Sequence, residues 1–202
     1  MKDYYSNSTH KLIWTEISRK PVFEKFSRGV DDVTFKLPDG QIHQYYIKHE
    51  LDTVCTLAFS KSNQVVLARQ FRPGPKKILL TLPGGGIKAN EDPYSNAVRE
   101  LKEETGYSGD FTLAATFYDD GYSTSRRHCF LAVNCERASS PKLDATEFLT
   151  VVELPISVFM DKLRDGGVTD PEAAFAAIDY LTRTTNSNET IYSLGEMFKQ
   201  LL

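Results

Sequence analysis

Three glutamates in the segment RELKEETG, residues 99–106, have the chemistry and spacing of a metal site. Glu100, Glu103 and Glu104 follow the spacing i, i+3 and i+4, so in an α-helix they share one face, within an arc of about 100°. Like charges at these spacings repel by about 0.2–0.5 kcal/mol per pair. A hard divalent cation such as Mg²⁺ prefers oxygen ligands and would turn this repulsion into attraction. The alternative is a solvated acidic helix face.

The flanking residues extend the three glutamates into a longer pattern. Gly85 is followed after five residues by Glu91, and Glu91 after seven by Arg99. The whole pattern is Gly-x5-Glu-x7-Arg-Glu-aliphatic-x-Glu-Glu-x-Gly, and it ends at Gly106. It resembles the Nudix box, the signature of Nudix hydrolases. One mild departure is Tyr107, where the family usually has an aliphatic residue.

The resemblance implies a cofactor and its ligands. In Nudix hydrolases the box glutamates bind Mg²⁺, with Mn²⁺ as the alternative, and a backbone carbonyl before the box glycine often adds a ligand. The implied metal ligands are Gly84, Glu100, Glu103 and Glu104. The remaining box residues have implied structural roles, with Arg99 paired to Glu91; they are Gly85, Glu91, Arg99 and Gly106.

The implied reaction is attack of water on a pyrophosphate that links a nucleoside to a second group. Such a reaction needs a base to activate or place the water. The resemblance leaves three acids open for this role: Glu104, and Asp144 or Glu147 on the loop 138–147. The predicted catalytic residues are Glu103, Glu104 and Glu147, and a surface glutamate at a loop end is the alternative for Glu147.

Features outside the box point to a subgroup. The segments VVLARQFRPGP (65–75) and GVTDPEAAFAAIDYL (167–181), and a β-rich start, resemble ADP-ribose pyrophosphatases and related nucleoside-diphosphate-sugar hydrolases. The first expectation for the substrate is therefore ADP-ribose. Asp120 and Thr81 depart from the residues that ADP-ribose pyrophosphatases commonly have at these positions. Other substrates, of the GDP-mannose or CDP-choline type, therefore stay open. A Nudix ligand sensor without catalysis is a further alternative.

Three residues are predicted to contact the substrate. Arg72 ends the Gln-Phe-Arg sequence within the first of these segments, and a guanidinium matches phosphate geometry bidentately. Asp120 and Tyr122 lie in the polar loop 119–125, at the position where the subgroup has its marker sequence. The Asp120 carboxylate should repel a diphosphate unless it faces a sugar hydroxyl or a metal. The alternatives are an ordinary surface arginine for Arg72 and a core aromatic residue for Tyr122.

Hydrophobic periodicity and turn residues predict the elements. A hairpin is expected at 33–37 and 42–47, and further strands at 53–60, 64–71, 78–82, 111–118, 127–136 and 148–154. A helix is expected from the cap Asp92 and Pro93 to Gly106. Later helices are expected at 155–164, at 172–183 after a cap at Asp170 and Pro171, and at 189–202. This order predicts an α+β or α/β sandwich, a mixed sheet flanked by helices with an N-terminal β-rich segment. The resemblance implies that it is an α+β fold of Nudix type, an α/β/α sandwich.

Length and composition set the remaining expectations. The 202 residues are divided into an N-terminal β-rich arm at 1–50, a Nudix domain at 51–185 and a C-terminal helical tail at 186–202. The arm predicts a homodimer, because its strand edges need covering. A net charge of −3 argues against nucleic acid as a partner, and no apolar run is long enough for a membrane. Three cysteines without a CxxC pair and a start without a signal-peptide core predict a cytoplasmic protein.

Overall fold

The structure is a computed structural model and describes residues 11–184 and 189–201. The elements in these residues are β1 (Thr15–Lys25), β2 (Arg28–Lys36), β3 (Ile42–Glu50), β4 (Thr53–Ser60), β5 (Val65–Arg72), β6 (Lys77–Thr81), α1 (Pro93–Thr105), β7 (Tyr107–Tyr118), β8 (Arg126–Arg137), β9 (Leu149–Leu154), α2 (Ile156–Arg164), α3 (Pro171–Arg183) and α4 (Glu189–Lys199). The chain forms two compact units that divide between Leu51 and Asp52, with Tyr118–Ser125 grouped with the N-terminal unit.

The N-terminal unit is a three-stranded antiparallel sheet in the order β1-β2-β3. The predicted hairpin is confirmed, with Val33 opposite Tyr45 in the β2–β3 register. Gly40 closes its turn at φ 90°, a conformation that glycine adopts without strain. The segment 118–125 joins β3 through two backbone hydrogen bonds: the Lys48 amide donates to the Tyr122 carbonyl at 2.8 Å, and the Thr124 amide donates to the Lys48 carbonyl at 3.0 Å.

The C-terminal unit is a mixed sheet between helices. Its strands run in the order β6-β5-β4-β8-β7, and β9 pairs with β5. The β4–β8 pair is parallel, whereas β5 is antiparallel to β4, β6 and β9. One face packs residues such as Leu57 and Leu67 against α2, α3 and α4, and the other packs Ala58 and Val66 against Leu101 of α1. These layers confirm the predicted α/β/α sandwich.

Two local predictions differ from the structure. Asp170 was expected to cap α3 with its side chain, but it has a φ of 61° and forms no capping hydrogen bond. Its carboxylate instead accepts from Arg127 at 2.8 Å, because an ion pair with a guanidinium competes well with a backbone donor. The strand expected to begin at residue 111 begins at Tyr107, directly after Gly106 reverses the chain.

The end of the described chain is part of the core. Helix α4 places Leu194 and Phe198 in the same core as α2 and α3, and both side chains are fully buried. The domain boundary predicted between 185 and 186 lies outside the described residues, as do residues 1–10. Within residues 11–184 and 189–201, no helix combines the length and the apolar character needed to cross a membrane.

Candidate active site

Local sequence signals fix both ends of α1 and therefore the position of its glutamates. The Asp92 carboxylate accepts hydrogen bonds from the amides of Tyr94 and Ser95, both at 3.0 Å, and Pro93 occupies the first helical turn. At the other end Gly106 adopts the left-handed conformation, with φ 78°, and its amide donates to the Lys102 carbonyl. These are the favoured start and stop signals of a helix, so the glutamate face follows from local sequence.

Glu104 reaches from α1 to the glycine loop that follows β6. Its Oε2 accepts a hydrogen bond from the Gly84 amide at 3.1 Å, and the residue is only 8% exposed. The flanking carbonyls of Pro83 and Gly85 accept from amides of β4. The loop is therefore held to β4 on both sides of Gly84, and the Gly84 amide between these contacts is bonded to Glu104.

The two loop glycines allow the backbone to approach these carboxylates. A Cβ on Gly84 would lie 2.1 Å from the Val54 carbonyl oxygen, so a side chain there would displace the loop from β4. A Cβ on Gly85 would lie 2.8 Å from Oε1 of Glu100. Gly85 therefore leaves space for Glu100, and Gly84 lets the loop lie against β4 with its amide on Glu104, so the loop forms a close cradle for the two carboxylates.

Burial raises the pKa of Glu104 to about 8, since water no longer solvates its charged form. Repulsion from Glu100 and Glu147 adds to this rise, while the Gly84 hydrogen bond and the Arg72 charge oppose it. Burial also raises the pKa of Glu100. The structure thus brings together four residues that the sequence predicted for this site: Glu100, Glu104, Glu147 and Arg72.

Arg99 balances the charge of the acidic cluster. Its guanidinium contacts Glu91 at 2.8 Å, Glu100 at 2.8 Å and Glu103 at 2.7 Å. The three contacts raise its pKa above the ordinary value. One arginine therefore compensates much of the glutamate repulsion on α1. Of these three contacts, only the one with Glu91 was expected from the sequence.

Glu91 ties the glycine loop to α1 through further contacts. Its Oε2 accepts from Arg99 at 3.1 Å, from the Asn96 amide group at 2.6 Å and from the Lys88 backbone amide at 3.4 Å. Asn96 is fully buried and also donates to the Gly86 carbonyl at 3.1 Å. The role of Asn96 was not expected from the sequence. One signal in the sequence could have indicated it: an asparagine, which has a low helix propensity, lies inside the predicted helix, five residues after Glu91.

The donor set fits a hard divalent cation by its chemistry. Glu100 and Glu104 offer carboxylate oxygens in a cradle shaped by Gly84 and Gly85, and hard cations prefer such ligands. Among the described residues, no three acidic, histidine or cysteine side chains stand close enough together to hold an ion as they are placed. Glu103 is directed toward Arg99 and its side chain is 39% exposed, so metal binding would require it to exchange this contact.

Comparisons with known proteins agree with this geometry. A family profile described as "NUDIX domain" matches residues 49–169. The chain is 30% identical to the ADP-ribose pyrophosphatase of Bacillus subtilis over 155 residues, which cover 75% of this chain and 82% of that protein. The chain belongs to the NUDIX family.

Two further proteins are similar to this Nudix chain. The methanol dehydrogenase activator of Bacillus methanolicus is 28% identical over 155 residues, 75% of this chain and 82% of that protein. A crystal structure titled as an ADP compounds hydrolase superposes with a TM-score of 0.70, at 21% identity, and covers 93% of this chain and 95% of that one. The second likeness supports the Nudix fold.

Two predicted substrate contacts of this Nudix chain lie in the N-terminal unit. The Asp120 carboxylate pairs with the Lys48 ammonium at 2.6 Å, and this contact lowers its pKa. The Tyr122 ring stacks on Tyr45, with centroids 6.1 Å apart and an interplanar angle of 19°. The Asp120 charge was expected to repel a diphosphate unless it faced a sugar hydroxyl or a metal. In the structure Asp120 faces neither of these groups but a lysine, Lys48. The substrate roles of Asp120 and Tyr122 stay predictions.

Replacing Glu91 by glutamine is expected to lower the melting temperature, or to lower turnover less than Glu104→Gln does. The contacts with Arg99 and Asn96 hold the pKa of Glu91 near 2, below its ordinary 4.5, so its charge stabilises the folded protein above pH 4.5. That contribution is lost as the pH falls toward 2. Melting curves of wild type and Glu91→Gln should therefore differ at pH 7 and converge in acid. A constant difference at every pH would contradict the role of the charge.

Proposed function

We propose that this Nudix protein hydrolyses the pyrophosphate bond of a nucleoside diphosphate linked to a second group. The leading substrate is ADP-ribose, with AMP and ribose 5-phosphate as products. The observation that carries the proposal is the buried Glu104 carboxylate at the Gly84 amide, with Glu100, Glu147 and Arg72 around it. The likeness to a protein named ADP-ribose pyrophosphatase, along 82% of its length, supports the choice of substrate.

Each residue of this constellation has a proposed task. Arg72, at the end of β5, binds a phosphate of the substrate through its guanidinium. Glu147 takes a proton from the attacking water, and Glu104 and Glu103 complete the acidic cluster of the site. Glu100, Glu103, Glu104 and the Gly84 carbonyl would hold Mg²⁺ or Mn²⁺, which would supply charge neutralisation for the diphosphate and a lowered pKa for a bound water. Arg99 and Glu91 keep the glycine loop against α1.

A panel of diphosphates tests the proposal directly. Release of phosphatase-sensitive product is measured for ADP-ribose, NADH, GDP-mannose, UDP-glucose, CDP-choline and capped nucleotides, with Mg²⁺ and with excess chelator. Metal-dependent hydrolysis with the highest kcat/KM for ADP-ribose is the expected result. Preference for another member of the panel would assign a different nucleoside-diphosphate substrate. Ligand binding without hydrolysis of any member would instead favour a Nudix sensor.

The loop 119–125 is proposed to influence which second group is accepted. If Asp120 faces a sugar hydroxyl, Asp120→Ala is expected to weaken transition-state binding of sugar-linked substrates by about 1–3 kcal/mol, because the hydroxyl loses its polar partner. The loss is measured as a fall in kcat/KM. Substrates with other second groups should change less. Asp39→Ala, which removes an exposed carboxylate from the β2–β3 turn, is the control. Equal changes across the panel would show that the loop does not distinguish the second group.

A homodimer through the N-terminal sheet is proposed from the exposure of β1. All eleven residues of this edge strand are exposed, and Ile17, Val22 and Phe23 are each more than half exposed. An apolar edge strand is a surface for pairing with a second chain. Light scattering should show a dimer at micromolar concentration and a monomer for Ile17→Lys/Phe23→Lys. Leu113→Lys, at an exposed position of β7, is the control. A monomeric wild type would contradict the proposal.

The three cysteines support a reducing environment, and a cytoplasmic location stays a prediction. Cys55, Cys129 and Cys135 are free and buried. Burial raises the pKa of Cys129 and of Cys135 to about 12, so neither thiol ionises readily at neutral pH. These residues are core side chains here.

The absence of a nucleic-acid partner likewise stays a prediction from the net charge of −3.

A further inference from the structure

The carboxyl end of α1 holds the loop 138–147 through backbone hydrogen bonds. The Lys142 amide donates to the Glu103 carbonyl at 2.7 Å, and the amides of Ala138 and Ser139 donate to the Gly106 carbonyl at 2.9 and 3.1 Å. The last carbonyls of a helix have no partner within the helix. Here the loop supplies those partners, so its path is fixed relative to the glutamates of the same helix.

Gly106 is in close contact with this loop. A Cβ at this position would lie 2.2 Å from the Ser139 carbonyl oxygen, which is backbone and cannot turn aside as a flexible side chain would. The left-handed φ of 78° is a separate requirement for glycine. Gly106 therefore does more than end the helix: its missing side chain leaves the space through which the loop backbone passes.

The other end of the loop presents Glu147 in a defined orientation. The Asp144 amide donates to Oε2 of Glu147 at 2.9 Å, and the Glu147 amide donates to the Asp144 carbonyl at 2.9 Å. These two hydrogen bonds fix the Glu147 carboxylate relative to the loop. The loop itself is fixed on the end of α1. Glu147 is close enough to Glu104 for their charges to repel.

We propose that Gly106 is a positioning residue for Glu147: its carbonyl and its missing side chain hold the loop 138–147 on the end of α1, and so set Glu147 beside Glu104. The proposal rests on the proposed function, in which Glu147 takes the proton of the attacking water. Helix α1 then carries Glu100, Glu103 and Glu104 on its own side chains, and the carbonyls at its end position Glu147.

The first experiment compares two glycines with the same backbone requirement. Gly166 follows α2 with φ 70°, but a Cβ there would meet nothing within 4 Å. Gly106→Ala should lower kcat about 10- to 100-fold with KM changed less than about twofold, because a displacement of about 1 Å costs that much in catalysis. Gly166→Ala, which introduces a comparable backbone strain, should lower the melting temperature and leave kcat unchanged. Equal kcat values for the two variants would overturn the proposal.

A double-mutant cycle tests whether Gly106 acts through Glu147. In the Glu147→Gln background, Gly106→Ala should lower kcat by less than about twofold, because residues that act as one unit are not additive. The full 10- to 100-fold loss in that background would show an effect unrelated to Glu147 and overturn the proposal. Unchanged turnover in Glu147→Gln alone would also overturn it, by removing the residue through which Gly106 is proposed to act.

A second pair of variants leaves the helix sequence intact, in case Gly106→Ala does not fold. Lys142→Pro removes the amide that donates to Glu103, whereas Lys142→Ala keeps it. Lys142→Pro should lower kcat and Lys142→Ala should not; no loss in Lys142→Pro, measured on folded protein, would overturn the proposal.

Hydrogen exchange separates this proposal from the proposed function. The Ala138, Ser139 and Lys142 amides should exchange faster in Gly106→Ala than in wild type, and at the wild-type rate in Gly166→Ala. Unchanged exchange in Gly106→Ala would overturn the role of Gly106 in holding the loop, whatever the activity. If wild type hydrolysed no diphosphate, the proposed function and the catalytic part of this proposal would fail, while the exchange rates would still decide whether Gly106 holds the loop.

Discussion

Glu104→Gln is expected to lower kcat by about a thousandfold while the protein stays folded. Glutamine keeps an oxygen for the Gly84 amide, so the loop contact survives. What is lost is a carboxylate that can bind a divalent cation, a contribution of several kcal/mol to the transition state. Each 1.4 kcal/mol, roughly, corresponds to a tenfold change in rate. Steady-state kinetics on ADP-ribose with Mg²⁺ measures the effect.

Stability and a matched control make the Glu104 result specific. Because burial already disfavours the charge of Glu104, the neutral glutamine should leave the melting temperature unchanged or raise it. Glu136→Gln removes an exposed carboxylate that pairs with Lys61, and its kcat should equal that of wild type. Full turnover in Glu104→Gln, or full wild-type turnover in excess chelator, would contradict the proposed metal-dependent mechanism.

Glu147→Gln is expected to lower kcat by about 10²- to 10⁴-fold, the usual contribution of a general base. KM should change little, because Arg72, which is proposed to bind phosphate, is untouched. Glutamine retains an oxygen acceptor for the Asp144 amide, so the turn that carries residue 147 should persist. The measurement is kcat and KM at saturating Mg²⁺ for wild type and variant.

Asp144→Asn is the matched control, because Asp144 is the second acid of the same loop. The structure gives Asp144 a backbone role in the turn, with its amide and carbonyl both bonded to Glu147. Its substitution should therefore leave kcat within about twofold of wild type. A large loss in Asp144→Asn together with normal turnover in Glu147→Gln would exchange their roles and contradict the proposed base.

Helix α1 and the layered fold could be read from the sequence because their signals are local. Asp92 and Pro93 fix the start of α1 and Gly106 fixes its end, each through contacts with residues nearby in sequence. The i, i+3, i+4 spacing then determines which face carries the glutamates. The strands around the sheet were predicted from short apolar runs and turn residues in the same way. The Asp170 cap was predicted wrongly, because Arg127, distant in sequence, takes its carboxylate.

The environment of each glutamate was decided by tertiary structure. Glu103 and Glu104 are neighbours in sequence, yet Glu103 is directed to Arg99 and solvent, while Glu104 is buried against the Gly84 amide. Periodicity gives a direction on the helix, but it does not say what lies opposite. Packing of α1 on the sheet beside the glycine loop decides that, and with it the raised pKa of Glu104.

The sequence by itself determined the Nudix box, the helix that carries it and the acids available for catalysis. Only the folded chain shows that Arg72 and Glu147 approach Glu104, that Asp120 pairs with Lys48, and that the end of α1 holds the loop bearing Glu147. The physical reason is separation along the chain. Helix caps and turns are set by neighbouring residues, whereas burial, charge pairing and loop anchoring depend on residues that only the packing of strands and helices brings together.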